Sequence, residues 1–308
     1  MYPSIQPHKK TRLHVDTLSN GKRVLVYVEC SGNPKGIVVI YLHGGPGDHT
    51  VPRLRRLYDP KVYHIVLFDQ RGSGQSRPLN HTEKNTTQDL IKDIECIRKY
   101  MNAEKMLVAG GSWGSSLAML YAQAYPKRVS ALLLRGIYDL SKVDVLDQMY
   151  PEEKDKLKHL LHLKTSSQKE EDSKITKTLS TKTRKRKNLI KLLSSNDQMF
   201  VISKNTLKET FKESETLTVI GNHYDSNNYF VPKNSIYKNM HKIKHIPTIM
   251  VEGRYDMVTP MKMAYELSKK FKDCELMIVR GGHTAYEEEI TKALVIASDK
   301  FKTKSYLR

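Results

Sequence analysis

One short stretch, Val108-Ala109-Gly110-Gly111-Ser112-Trp113-Gly114, limits this 308-residue chain more than any other. The apolar run before it, Glu104 to Ala109, reads as a buried strand. After it, Leu117, Leu120, Tyr121 and Ala124 recur at helical spacing until Pro126. A serine flanked by Gly110 and Gly114 at a strand-to-helix junction sits on a tight turn that lifts its hydroxyl above the sheet edge. Ser112 is therefore the candidate nucleophile.

A serine needs a base to take its proton and an acid to orient that base, and at such a junction they follow in the chain order Ser, Asp, His. The run Pro247 to Val251 leads into Glu252-Gly253-Arg254-Tyr255-Asp256, which puts Asp256 just past a strand's carboxyl end, where open α/β sheets carry their sites. Leu276 to Val279 is another strand, and Arg280-Gly281-Gly282-His283 follows it at the same edge. Asp256 is the expected acid and His283 the expected base. The plainer readings are a turn or N-cap aspartate ahead of Pro260 and one structural histidine among twelve. Ile37 to Leu42 runs into His43-Gly44-Gly45-Pro46-Gly47, whose glycines let the backbone bend toward a reacting carbonyl. The N–H groups of Gly45 and Trp113 are the expected oxyanion donors, the alternative being an ordinary Gly/Pro turn.

Strands near 37, 63, 105, 129, 248 and 275 alternate with helical runs near 86, 115, 261 and 286, the pattern of a mostly parallel sheet covered on both faces. A β-hairpin is expected over 13–30 with Asn20-Gly21 as its turn. Between about 140 and 232 the chain becomes rich in Lys, Ser and Thr, and Leu157, Leu160, Leu161 and Leu163 hint at helices. The expected architecture is an α/β core of residues 1–140 and 233–308 with a helical cap inserted at 141–232. Asp69 to Pro78 reads as a scaffold loop holding an internal Asp/Arg pair. No suitably placed helix and lysine follow it to make a phosphate-binding loop.

The blocks His43-Gly44-Gly45-Pro46-Gly47, Asp69-Gln70-Arg71-Gly72-Ser73-Gly74-Gln75-Ser76-Arg77-Pro78, Gly110-Gly111-Ser112-Trp113-Gly114, Leu134-Arg135-Gly136-Ile137, Gly253-Arg254-Tyr255-Asp256 and Gly282-His283 stand in one order. In this the chain resembles the proline iminopeptidases of the α/β-hydrolase superfamily, over about residues 12–140 and 220–302. The resemblance implies hydrolytic release of an N-terminal residue, preferentially proline, from short peptides, with no metal or organic cofactor. It also implies a substrate site at Gly44, at Tyr138 as an aromatic of the proline pocket, and at Gly221, Asn222, His223 and Tyr224. In the family pattern two cap carboxylates grip the substrate's α-ammonium, one just before an Asn-His-Tyr-Phe run and one after paired tryptophans. Here Gly221 precedes Asn222-His223-Tyr224-Asp225, and Trp113 is the only tryptophan.

A desolvated ammonium without its partner costs about 3–5 kcal/mol, so an esterase or amidase indifferent to a free amino group is the rival activity. Asp225, Asp197, Glu209, Glu213 and Glu215 are the acids that could reach the same volume. A catalytically silent binding protein of the same fold is the alternative from another class, and the presence of Ser112, Asp256 and His283 speaks against it.

With 52 Lys+Arg against 33 Asp+Glu the formal charge is +19, yet only Lys182 to Lys187 is dense, and no aromatic residues interleave it. No specific nucleic-acid partner is expected; the partner is a small peptide or ester, and the oligomeric state stays open. Cys30, Cys96 and Cys274 are odd in number and lack metal or disulfide spacing. With neither a signal-like N-terminus nor an apolar run of about 18 residues, a cytoplasmic protein without a membrane anchor is expected.

Overall fold

A computed structural model describes residues 1–138, 140, 151–163, 168–197 and 210–302. Eight strands form one sheet: β1 (Lys9–Thr17), β2 (Arg23–Gly32), β3 (Ile37–Leu42), β4 (Tyr63–Asp69), β5 (Met106–Ser112), β6 (Val129–Ile137), β7 (Thr248–Gly253) and β8 (Cys274–Val279). Their order is β1-β2-β4-β3-β5-β6-β7-β8. β2 runs antiparallel to both β1 and β4, and every pair from β4 to β8 is parallel.

The burial of each strand follows its neighbours. β4 and β6 are buried at every residue, as continuous apolar runs covered on both faces must be. β1 is largely exposed, and Lys9 and Lys10 on this edge discourage pairing with another chain. The hairpin is present, but β1 starts four residues earlier than position 13, and the turn closes from Leu18 to Lys22 through the Leu18 N–H to Lys22 carbonyl bond of 2.9 Å. Gly21 takes φ +77° there, a conformation glycine adopts freely.

On one face lie α1 (Thr87–Tyr100), α2 (Trp113–Ala124) and α8 (Met261–Ser268), and on the other α9 (Glu288–Lys302). α1 starts at a capping box in which Thr86 and Asp89 satisfy each other's backbone N–H groups. Leu90, Ile94 and Ile97 of α1 and Trp113 and Leu117 of α2 enter the first core; Ile290, Leu294 and Phe301 of α9 enter the second. Between β6 and β7 stand α3 (Pro151–Leu161), α4 (Gln168–Leu179), α5 (Arg184–Asp197), α6 (Phe211–Asp225) and the single turn α7 (Ser235–Lys238). α3, α4 and α5 close a small core of their own from Leu157, Leu161, Ile175, Leu179, Leu189 and Ile190.

The pair expected inside the 69–78 loop is not formed. Arg71 instead makes a two-pronged bond to Asp93 on α1, at 2.6 and 2.8 Å, and reaches Asp16 on β1 at 3.3 Å. Asp69 accepts from the Thr50 and Gln75 N–H groups, both at 2.8 Å. The loop is braced outward to two other elements: the buried Arg71 guanidinium meets a carboxylate at fork geometry on α1, while the Asp69 oxygens are taken up by Thr50 and Gln75.

Candidate active site

β5 delivers Ser112 to the sheet's carboxyl edge at φ +57°, ψ −129°, outside the regions a side chain ordinarily favours. The turn is possible because its flanks lack side chains. A Cβ on Gly110 would lie 2.1 Å from the Gly114 carbonyl oxygen, and one on Gly114 would lie 2.0 Å from the Leu42 oxygen. Strand, turn and helix therefore interlock within less than a side chain's width.

Across the edge, the loops after β7 and β8 bring two further groups to the hydroxyl. His283 Nε2 lies 3.1 Å from Ser112 Oγ, and His283 Nδ1 lies 2.8 Å from Asp256 Oδ2. Asp256 also accepts from the Val258 and Thr259 N–H groups at 2.9 and 2.8 Å and from Thr259 Oγ1 at 2.7 Å. Burial by itself would raise this carboxyl; the His283 ring and the Thr259 bonds outweigh it and hold Asp256 at about 2. An ionised Asp256 fixes the imidazole proton on Nδ1, which leaves the Nε2 lone pair facing the serine hydroxyl. The side chain of Asp256 is 1% exposed and that of His283 19%, so the acid is dry while the base meets the site.

The His43 to Gly47 loop passes directly over Ser112. A Cβ on Gly44 would stand 3.3 Å from Ser112 Cβ, and Gly45 takes φ +101°. Gln70 ties this loop to α2: its amide donates to the His43 carbonyl at 2.8 Å and its oxygen accepts the Trp113 indole N–H at 3.0 Å. His43 Nε2 in turn accepts the Gln70 N–H at 2.9 Å, and burial keeps that ring below its ordinary value, in the neutral form this bond needs. Trp113 opens α2, so its backbone N–H is among the first-turn donors that a helix leaves unpaired.

The remaining expected residues divide. Tyr138 and Tyr224 belong to an aromatic cluster around Trp113: Tyr224 and Tyr229 lie 5.3 and 5.4 Å from the indole, and the Tyr138 and Tyr229 hydroxyls are 2.8 Å apart. Gly221 lies beside the glycine loop, with the Pro46 oxygen 3.7 Å from where its Cβ would be. Asn222 bonds to Thr176 on α4 at 3.0 Å and His223 to the Asn85 carbonyl at 2.9 Å, so their polar groups engage the scaffold and not the Ser112 relay. Asp225 is bonded to Tyr229, Glu215 to Arg186, and Glu213 caps α6 while facing His49 at 3.5 Å. The Asp197 side chain and Glu209 lie outside the described residues.

Four residues with no assigned role in the sequence reading also shape the site. Arg135 holds the His283 carbonyl at 2.6 Å, Thr259 brackets Asp256, Gln70 ties the glycine loop down, and Gly136 at φ +55° leaves room for the His283 ring, whose Cε1 would be 3.2 Å from a Cβ there. The Leu134-Arg135-Gly136-Ile137 block was a visible signal for two of them, since an Arg-Gly pair ending an apolar strand is out of place unless something needs it. Among the described residues no three His, Cys, Asp or Glu side chains converge to hold a metal ion.

A family model for the alpha/beta hydrolase fold matches residues 37–290. The probable proline iminopeptidase of Leptolyngbya boryana is 36% identical, the match covering 98% of this chain and 96% of that one. The chain belongs to the proline iminopeptidase family of α/β hydrolases. The Arabidopsis thaliana proline iminopeptidase, 37% identical, covers 98% of this chain and 82% of its own length, and that of Neisseria meningitidis serogroup B, 35% identical, covers 96% and 97%. Among solved structures, an esterase from Exiguobacterium antarcticum superposes with a TM-score of 0.65 at 17% identity, over 96% of this chain and all of that one, which is a likeness of fold. The α/β architecture and the family thus agree with the order of blocks read from the sequence, and membership makes this chain a hydrolase.

Proposed function

We propose that this protein releases an N-terminal residue, preferentially proline, from short peptides through an acyl-enzyme. The observation that carries the reading is the continuous line of hydrogen bonds from Ser112 through His283 to Asp256 at the carboxyl edge of the sheet. In it, the Ser112 proton passes to His283 Nε2 as Oγ bonds to the substrate carbonyl carbon, and the N–H groups of Gly45 and Trp113 receive the resulting oxyanion. The imidazolium returns the proton to the departing amine, leaving the acylated serine. Water, deprotonated by the same ring, then frees the N-terminal residue and restores the hydroxyl. Residues 141–232 act as a cap, and α6 is the part seated on the glycine loop, with Ile220 Cβ 2.9 Å from where a Cβ on Gly47 would be.

Ser112→Ala should lower kcat on a Pro-X substrate by about 10⁴-fold or more while leaving the thermal transition in place. Undiminished turnover would end the reading. A second reading has one observation in its favour: Asp225, Glu213 and Glu215, the three acids of α6, are already bonded to Tyr229, Thr210 and Arg186. That favours a substrate without a free ammonium. Peptides with free and acetylated N-termini separate the two, since equal rates on both would reject the aminopeptidase.

A further inference from the structure

Glu252 is the penultimate residue of β7, four residues before Asp256, and is completely buried. Its Oε2 accepts the Ile137 N–H at 2.9 Å, while its Oε1 is buried with no donor in reach. The charged groups around it are few. Arg135 on β6 directs Nη1 to the His283 carbonyl at 2.6 Å, and Glu287 directs Oε2 to the Gly282 N–H at 2.8 Å. The other group that acts directly on the Glu252 carboxyl is the carboxyl of Asp256, which has His283 on its far side. Two interacting carboxyl groups in a dry site cannot both ionise. Asp256 has the His283 ring and three Val258 and Thr259 donors to hold its charge; Glu252 has one N–H and the Arg135 charge, which burial and the Asp256 charge outweigh. A buried oxygen without a donor is unfavourable as a carboxylate acceptor and natural as the hydroxyl of a carboxylic acid.

We propose that Glu252 is held as the neutral acid and donates its O–H to Asp256, making it a positioning residue that anchors the carboxylate behind His283 without adding a second negative charge. Burial first, then the Asp256 charge, push the Glu252 carboxyl well above its ordinary range, in line with this assignment. An ionised Glu252 would instead favour the imidazolium form of His283, which cannot take the Ser112 proton. The inference rests on the relay proposed above, but its primary readout does not depend on turnover.

Carbon-13 NMR of the whole chain labelled at the glutamate carboxyls should show one side chain still neutral at about pH 7.5, a protonation state far outside the ordinary glutamate range. That resonance should vanish in Glu252→Gln. In the pH profile of kcat/KM, Glu252→Gln, which keeps an uncharged donor, should leave the acidic limb within about 0.3 pH unit of wild type, whereas Glu252→Leu should move it upward by about half a unit or more as Asp256 regains basicity. Glutamine should also restore most of the rate that leucine loses. Absence of a neutral glutamate in the wild type overturns the proposal, and that spectrum decides even if neither variant folds. A drop of the Glu252→Gln limb by about a unit, the signature of removing a charge, overturns it as well. A Ser112→Ala variant that stays active would sink the relay and leave the spectrum untouched, so the two failures are distinguishable.

Discussion

Ser112 holds a backbone conformation that costs a non-glycine residue about 1–3 kcal/mol, and the surrounding glycines enforce it by admitting no alternative path. Gly114→Ala would drive a Cβ to 2.0 Å from the Leu42 oxygen, in the backbone of β3, where nothing can yield. It should destabilise the fold by about 4 kcal/mol or more, read as loss of the soluble folded protein or a sharply lowered urea midpoint. Gly221 is the contrasting case. It lies inside α6 with ordinary helical backbone and its nearest neighbour 3.7 Å from a built Cβ, so Gly221→Ala should raise stability by about 0.5–1 kcal/mol. Both glycines stand in recognisable motifs of the sequence, yet only the packing around each shows that one is obligatory and the other replaceable.

At the scale of elements, the contact between the glycine loop and α6 is both close and charged. His49, just past the loop, is drawn up to about 9, first by its bond to Asp48 and against the opposing effect of burial, and it faces Glu213 in the first turn of α6. The folded value lies above the ordinary histidine value of 6.5, so the stabilisation is fully present below about pH 6.5 and is lost as pH rises through 9. In His49→Gln the difference in unfolding free energy between pH 6 and pH 9.5 should shrink by about 1 kcal/mol relative to wild type, an amount discounted for the partly exposed Asp48 carboxylate. Urea titrations at both pH values check this, and an unchanged difference would remove the latch. Thr86→Ala, which dissolves the capping box of α1, should cost about 1 kcal/mol at either pH. The capping box joins Thr86 and Asp89, three residues apart, whereas the latch joins Asp48-His49 to Glu213, far apart in sequence, which meet only when α6 settles on the loop.

For the whole molecule, a formal charge of +19 works against compactness, since most of the lysines among the described residues are exposed and repel one another. Raising NaCl from about 10 to about 150 mM shortens the Debye length from about 30 to 8 Å and should raise the thermal midpoint. A midpoint that falls with salt would mean that attractive ion pairs, such as Lys292 with Glu288 and Glu289, outweigh the repulsion. Among the described residues no helix is long and apolar enough to cross a membrane.

What the sequence determined alone was whatever depends on local pattern: apolar runs of strand length, helical spacing after Ser112, glycines at strand ends, and hence the α/β sheet with Ser112, Asp256 and His283 at one edge. Backbone sterics and burial act on neighbours in the chain, and these leave a mark in residue order. Pairings between distant segments leave none. That Arg71 clasps Asp93 and not Asp69, that Asn222 and His223 bond to Thr176 and Asn85, and that Glu252 is shut beside Asp256 were decided by tertiary structure, because each polar group takes the partner that the packed elements bring within about 3 Å.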